Sequence, residues 1–416
     1  MNDNDRAITG LVMLAHSLVH TYEFAFPVFV PIWLSQFGAT EAAIGLALTV
    51  GFSLFGLGSL PAGILADRRG SKALIVACLV GMGGSFLLLS LAPAASPWNL
   101  AVVTLALVVW GVSASVYHPA GLSLLTRGVE ERGSAFAYHG TAGNIGTAMG
   151  PLLTTILLFA LTDDWRLVAA LLALPALAGV LLAVRIDVNE TAAVAADGGE
   201  DGGSKANPGV DSLGEFLSVS RTLFTGAFLA VFAAVMLSGL YYRGTLTFLP
   251  ALFEGFEAIQ PVEAFGRTFE PGNYIYTGLL ATGVLGQYAG GKLTDHIPVE
   301  LGLALGYGGL GVIALVYLPA ANAGLLPLLV LSAVLGFFLF VVQPFYQATV
   351  AEYTPPSARG LSYGFTYLGV FGVGALGATV AGVALTEFSP PTLFAVLSVF
   401  GFVAGGLGLL LLTRAR

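Results

Sequence analysis

The sequence predicts an all-α integral membrane protein, with twelve transmembrane helices in two pseudo-symmetric six-helix bundles. Three observations carry that prediction. Of 416 residues, 56% are hydrophobic and 10% charged, with a mean hydropathy of +0.87. Soluble domains carry about 25% charged residues. The apolar residues run on without alternation for the about 20 residues that a helix needs to cross a bilayer, which excludes an outer-membrane barrel. A polar stretch containing DGGEDGGSKANPG, within residues 187–215, divides these runs six and six.

In chain order the spans are expected at 8–37, 41–66, 72–93, 99–125, 133–160, 165–185, 222–252, 271–292, 299–319, 324–350, 357–385 and 391–412. Residues 1–186 form the first bundle and 217–416 the second. Residues 187–216, rich in Gly, Ser, Asp and Pro without apolar periodicity, read as a flexible solvated linker. The polar MNDNDR start leads straight into a full-length span, so no cleavable leader is expected. Cys78 is alone, which excludes an intrachain disulfide.

Basic residues set the orientation. Arg6, Arg68, Arg69, Lys72, Arg127, Arg132, Arg185, Lys205, Arg221, Lys292, Arg359, Arg414 and Arg416 fall on one side of this topology, and only Arg166 and Arg267 on the other. The positive-inside rule then places the termini and linker in the cytoplasm, with the protein multi-pass in the cytoplasmic membrane. Residues 253–270, with Glu254, Glu257, Glu263 and Glu270, become the longest external loop, where a short surface helix is expected.

The first span holds the most unusual stretch, AHSLVHTYEFAFP at residues 15–27. At about 100° per residue, His16, His20 and Glu23 share an arc of about 60° on one helix face. At about 1.5 Å per residue His16 lies about 12 Å into the span, with His20 and Glu23 near its middle. Ionisable groups at that depth face a bundle interior or a water-filled cavity, and Glu23 is the one carboxylate well inside a span. Hydrogen bonding to neighbouring helices is the blander reading of this stripe. His118 and His139 reach a similar depth in spans 4 and 5, so four of the five histidines gather in the first half, and His296 is a loop residue. Histidine changes charge near physiological pH, which points to proton handling or to recognition of a polar substrate.

Arg243, in SGLYYRGTLTFLP, is the basic residue placed well inside a span. Matching Pro31 with Pro250 puts Arg243 one residue from the level of Glu23, so an ion pair between spans 1 and 7 is expected. Snorkelling of Arg243 to the external headgroups is the competing reading. Gln343, Tyr346, Tyr363 and Tyr367 would give the second half a mixed apolar and hydrogen-bonding cavity wall.

The two halves repeat each other. GILADRRGSK at 63–72 is echoed by GKLTDHIP at 291–298, His118-Pro119 by Gln343-Pro344, and Arg132-Gly133 by Arg359-Gly360. Several matches in register indicate a duplicated bundle, an architecture common among secondary transporters.

GILADRRGSK resembles the loop 2–3 signature of the major facilitator superfamily, with Gly63, Leu65, Asp67, Arg68, Gly70 and Lys72 on its key positions. Within that superfamily the chain is most similar to the fosmidomycin-resistance type of drug exporter. His16, Tyr117-His118-Pro119, Gly143-Asn144, Gly150-Pro151-Leu152-Leu153, Gln347, Glu352 and Arg359 carry that closer likeness. It departs at His20, where those exporters tend to carry aspartate, and at His139, where they tend to carry glutamine. The resemblance implies that Asp67 caps the start of helix 11 near residue 357. Gly63, Arg68, Gly70, Asp295, Glu352 and Arg359 would join it in a cytoplasmic gate. It also associates Gly146, Gly150 and Pro151, a GxxxGP stretch, with antiporters, although Thr154 and Thr155 replace the glycines that usually follow; a plain packing seam explains the stretch equally well.

The expectation is therefore a secondary transporter working by alternating access, not an enzyme. It would export a small amphipathic or anionic compound in exchange for protons, or for sodium in their place. The alternative is a proton symporter importing a small organic anion. No cofactor and no metal are expected: HSLVH has the HxxxH spacing of membrane di-iron hydroxylases, but those need several histidine boxes and the other histidines are isolated. The absence of a Walker loop argues against ATP-driven pumping, and the net charge of −8 against nucleic acid as a partner. The partners are the substrate, the coupling ion and the bilayer, with the chain a monomer.

Overall fold

The computed structural model describes residues 1–94, 96–196, 218, 220–224, 226–354 and 359–415, excluding the side chains of residues 64, 67, 195–196, 359–360 and 415. Among the described residues twelve long helices follow one another: α1 (Asp3–Phe37), α2 (Glu41–Arg69), α3 (Ser71–Ser90), α4 (Asn99–Gly128), α5 (Arg132–Ala160) and α6 (Trp165–Arg185) in the first half. The second half holds α7 (Gly226–Leu246), α8 (Pro271–Leu293), α9 (Val299–Asn322), α10 (Leu325–Glu352), α11 (Leu361–Glu387) and α12 (Pro390–Ala415). Ten of these are both long and apolar enough to cross a membrane; α1, at 35 residues, and α8, at 23, have the length but carry more polar residues.

Local chemistry explains where the boundaries differ from the sequence reading. α1 starts at Asp3 because the Asn2 side chain caps it, accepting from the Asp5 amide at 2.8 Å. α4 breaks at Val116, between Ser115 and Tyr117. Pro119 has no N–H for the carbonyl four residues back, which is that of Ser115. α11 widens into a π turn at Leu368–Val373, where the Gly374 amide reaches the Gly369 carbonyl at 2.9 Å.

Duplication is visible in which helices touch. α1 packs on α5, α2 on α4 and α3 on α6; α7 on α11, α8 on α10 and α9 on α12 repeat these pairs six helices later. A single contact shows the same repeat. A Cβ on Gly150 would fall 2.3 Å from the Thr21 carbonyl oxygen, and one on Gly377 would fall 2.2 Å from that of Leu240. Both positions let two helix backbones touch, as small residues do between membrane helices.

The halves meet through α2 against α11 and α5 against α8. Along the first seam, Ala42 N–H donates to Thr386 Oγ1 (2.9 Å), Thr49 to the Ala375 carbonyl (2.9 Å) and Ser53 to the Gly372 carbonyl (3.1 Å). These contacts close the end of the molecule away from the termini.

Two segments correct the sequence reading. A short helix, Leu249–Glu254, runs into the loop 253–270, and a 3-10 turn at Glu257–Ile259 follows; the rest is not helical but an antiparallel hairpin, Val262–Ala264 with Arg267–Phe269. Phe265 and Gly266, with φ of 55° and 72°, form the tight turn between the strands. Arg267 donates to the Phe159 and Leu161 carbonyls at 3.3 Å each, at the C-terminal end of α5. The start of the expected linker is also packed. Glu190 accepts from the Ser71 and Lys72 amides at 2.8 and 3.1 Å, capping α3, and Lys72 Nζ donates to the Ile186 carbonyl at 2.5 Å. The remainder, 197–216, lies outside the described residues.

Candidate functional site

Between the halves lies a cavity of about 650 Å³, lined from α1, α4, α5, α7, α8, α10 and α11. Phe136 near the start of α5 and Tyr363 near the start of α11 line it and are 36% and 39% exposed, so its mouth faces the end that carries the termini. At the other end α1 is fully packed from Phe24 to Pro31.

A chain of polar contacts crosses one wall. Arg243 of α7 donates to Glu23 of α1. Its guanidinium also lies over the Phe52 ring of α2, 3.9 Å from the ring centre. The other Glu23 oxygen is 2.6 Å from His20 Nδ1, His20 Nε2 is 3.1 Å from His16 Nε2, and His16 Nδ1 is 2.8 Å from the His139 carbonyl oxygen. The expected pair between spans 1 and 7 is therefore formed, and Arg243 does not snorkel outward.

The acceptors dictate where the hydrogens sit. A carboxylate and a carbonyl can only accept, so Nδ1 of His20 and Nδ1 of His16 each carry hydrogen. In neutral rings both Nε2 atoms then present lone pairs to each other. Something positively charged or protic belongs between them.

Helix packing places these rings. His139 lies flat on His16, with centroids 3.9 Å apart and 10° between planes, and the Tyr117 ring lies near-parallel to both, 5.2 Å from His16 and 6.2 Å from His139. Gly143 leaves the space, since a Cβ there would fall 2.4 Å from His16 Cε1. His118 stands edge-on to His16 at 5.1 Å and stacks on Tyr367 at 5.5 Å. Gln343, Tyr346, Tyr363 and Tyr367 all line the cavity. The fold thus assembles His118 beside the HxxxH pair, although the sequence left it isolated.

Sequence reasoning passed over Gln287, Ser238, Thr147 and Thr366 as lining residues, and Phe52 beneath Arg243. An amide inside an apolar run, as at Gln287, was a usable signal; nothing in the sequence marks Phe52. Gly146 and Gly150 serve as a packing seam, their missing Cβ atoms admitting the Ser17 and Thr21 carbonyls of α1. Pro151 is buried beside them.

The gate residues that the structure describes lie at the surface. Arg68, Asp295 and Glu352 are exposed, and space around Gly63 is open. Gly70, at φ +84°, caps α2 and lies near the Glu190 carboxylate. The side chains of Asp67 and Arg359, and residues 355–358 where Asp67 was expected to cap α11, lie outside the described residues.

A family model described as the Major Facilitator Superfamily matches residues 12–323 and 258–416. The chain belongs to the major facilitator superfamily. The family and the chain's relatives point to a transporter rather than an enzyme. Part of this superfamily chain is 31% identical over 168 residues to a Na(+), Li(+), K(+)/H(+) antiporter of Planococcus maritimus, covering 39% of this chain and 38% of that protein. It is 29% identical over 149 residues to a voltage-gated purine nucleotide uniporter of Mus musculus, covering 36% and 33%. The matched stretches span less than two fifths of either relative. Two crystal structures share the fold over nearly the whole chain. One is a bacterial homolog of the human lysosomal transporter Spinster, inward-facing and occupied, with TM-score 0.73, 14% identity and coverage of 100% and 98%. The other is a point mutant of the nucleoside transporter NupG, with TM-score 0.74, 13% identity and coverage of 97% and 99%.

Proposed function

We propose that this chain is a proton-driven exporter of the fosmidomycin-resistance type. It exchanges protons for a small amphipathic or anionic compound across the cytoplasmic membrane, with both termini in the cytoplasm. Residues 1–186 and 217–416 act as two lobes, joined by the linker 187–216, that rock about the cavity. In this orientation the cavity opens to the cytoplasm, the side from which an exporter loads. When that side closes, Asp67 and its neighbours latch the lobes.

The observation that carries the reading is the relay across the two halves from Arg243, buried behind the cavity wall, through Glu23 and His20 to His16, which line it. A proton entering between His20 and His16 replaces lone-pair repulsion with a hydrogen bond and sets a second positive charge against Glu23. It competes with Arg243 for that carboxylate, freeing the guanidinium for an anionic group of the substrate and loosening one tie between the lobes. The nitrogen-rich relay suits a proton better than sodium, which prefers oxygen ligands. The partial likeness to an antiporter supports exchange. One charge moving down about 100 mV yields about 2.3 kcal/mol, so low proton stoichiometries suffice.

The test has two stages. A thermal-shift screen of candidate compounds at two pH values identifies a ligand, which is then followed in proteoliposomes under an imposed pH gradient. Accumulation against the direction of proton flow is expected. Accumulation along with the protons would overturn export and support anion import by symport.

A further inference from the structure

The same histidines meet the requirements of a metal centre. One ring nitrogen from each of His16, His20 and His118 lies within 4.8 Å of the other two. His16 and His20 are already oriented as metal-bound imidazoles are: each donates Nδ1–H to a fixed acceptor, the His139 carbonyl and the Glu23 carboxylate, leaving Nε2 free. Those two Nε2 atoms are 3.1 Å apart. Two nitrogens bound at about 2.05 Å to a tetrahedral ion stand about 3.3 Å apart, so little movement is needed.

His118 supplies the independent sign. It is 7% exposed, lines the cavity, and its Nε2 is buried without a hydrogen-bond partner among the described residues. Burying such an atom unpaired is unfavourable, and a bound ligand would offset that cost. The three rings form a triangle with centroid separations of 4.8, 5.1 and 5.7 Å. His139 is not a fourth ligand: its ring lies parallel to that of His16, and its nitrogens fall outside the set that lies within 4.8 Å of one another. Both Glu23 oxygens are engaged, by Arg243 and His20, so no carboxylate is left to attract a hard cation such as Mg²⁺ or Ca²⁺.

We propose that His16, His20 and His118 bind a divalent first-row transition metal such as Zn²⁺ or Co²⁺. Its fourth position faces the cavity and takes water or an oxygen of a cavity ligand. The ion and the coupling proton use the same lone pairs, so each displaces the other. The proposal shares the cavity with the transport reading but is measured without transport.

The full chain, purified through a tag that contains no histidine, is dialysed against Co²⁺ at pH 8 and its metal content and visible spectrum are read. Stoichiometric Co²⁺ with the intense visible bands of tetrahedral nitrogen ligation is expected. His16→Gln and His118→Gln should each weaken binding by at least about tenfold, the scale of losses at metal sites. His139→Gln should leave tetrahedral binding in place and His296→Gln should change nothing. Melting temperature and elution profile establish that each variant is folded. If His118→Gln does not fold, the wild-type spectrum decides. Substoichiometric metal, octahedral bands, or loss in His296→Gln equal to that in His118→Gln would overturn the site. Failure of proton-driven exchange with Co²⁺ binding intact would remove the transport reading and leave the metal site standing.

Discussion

Arg243 of α7 and Glu23 of α1 form an ion pair across the two halves of the molecule, with 3% and 2% of their surfaces exposed. Little solvent reaches either charge. Removing one partner of such a pair strands the other, at a cost of about 3–5 kcal/mol. Arg243→Ala and Glu23→Gln should therefore both lower the melting temperature in detergent. The double variant Glu23→Gln/Arg243→Gln should recover a good part of that loss. Coupled transport should be abolished in Arg243→Ala and stay lost in the double variant; wild-type rates in proteoliposomes would sink the role assigned to the pair.

Gly143 and Gly146 hold α5 close to α1 for different reasons. A methyl at 143 meets the His16 ring, whereas one at 146 meets the Ser17 carbonyl at 2.1 Å. Gly143→Ala should disturb the stacked histidines with little effect on melting, because a ring can shift. Gly146→Val must move backbone and should destabilise by about 1–3 kcal/mol, the range for overpacking. Comparing melting temperature with transport rate in the two variants separates these effects.

The hairpin between α7 and α8 ties the second half to the end of α5 through Arg267. Arg267→Ala should favour opening at that end. The buried Cys78 is the chain's one cysteine, so a Cys78→Ala background allows clean spin labelling at Ser35→Cys and Glu387→Cys, near the outer ends of α1 and α11. A longer distance population in Arg267→Ala is expected. An unchanged distribution would mean that the hairpin does not hold this end shut.

Glu254, beyond the end of α7, has its carboxyl pushed up from 4.5 to about 7 by burial and by the neighbouring Glu270 carboxylate. The folded protein then binds this proton more tightly than the unfolded chain. Its stabilising contribution is complete below pH 4.5 and is lost as pH rises through about 7. Glu254→Gln should melt higher than wild type at pH 8 and match it at pH 4.5. Because Glu254 is partly open to solvent, added salt should shrink the difference.

Much of this was legible in the chain. Apolar run length identifies the helices, and the proline match at Pro31 and Pro250 brings Arg243 to Glu23 because duplicated halves share depth markers. His16 and His20 pair because they are four residues apart on a helix. His118 could not be assigned to them in the same way. Its approach depends on how α4 bends at Val116 and crosses α1, a tertiary outcome with no local signal. The hairpin was missed because its strands are three residues each, too short for alternation to register. Phe52 meets Arg243 only through the crossing of α2 and α7.

The seam of α2 against α11 is built mainly from hydroxyls and bare backbone, with Glu41 on Thr386 and Phe55 on Phe371. A zipper of this kind opens cheaply. When the facing helix withdraws, each serine or threonine can turn and bond the carbonyl one turn back on its own helix, as Ser59 does with Phe55 at 2.9 Å. Parting costs the Glu41 carboxylate one hydroxyl donor and separates the Phe55 and Phe371 rings but breaks no ion pair, which would keep the barrier low for the rocking proposed above.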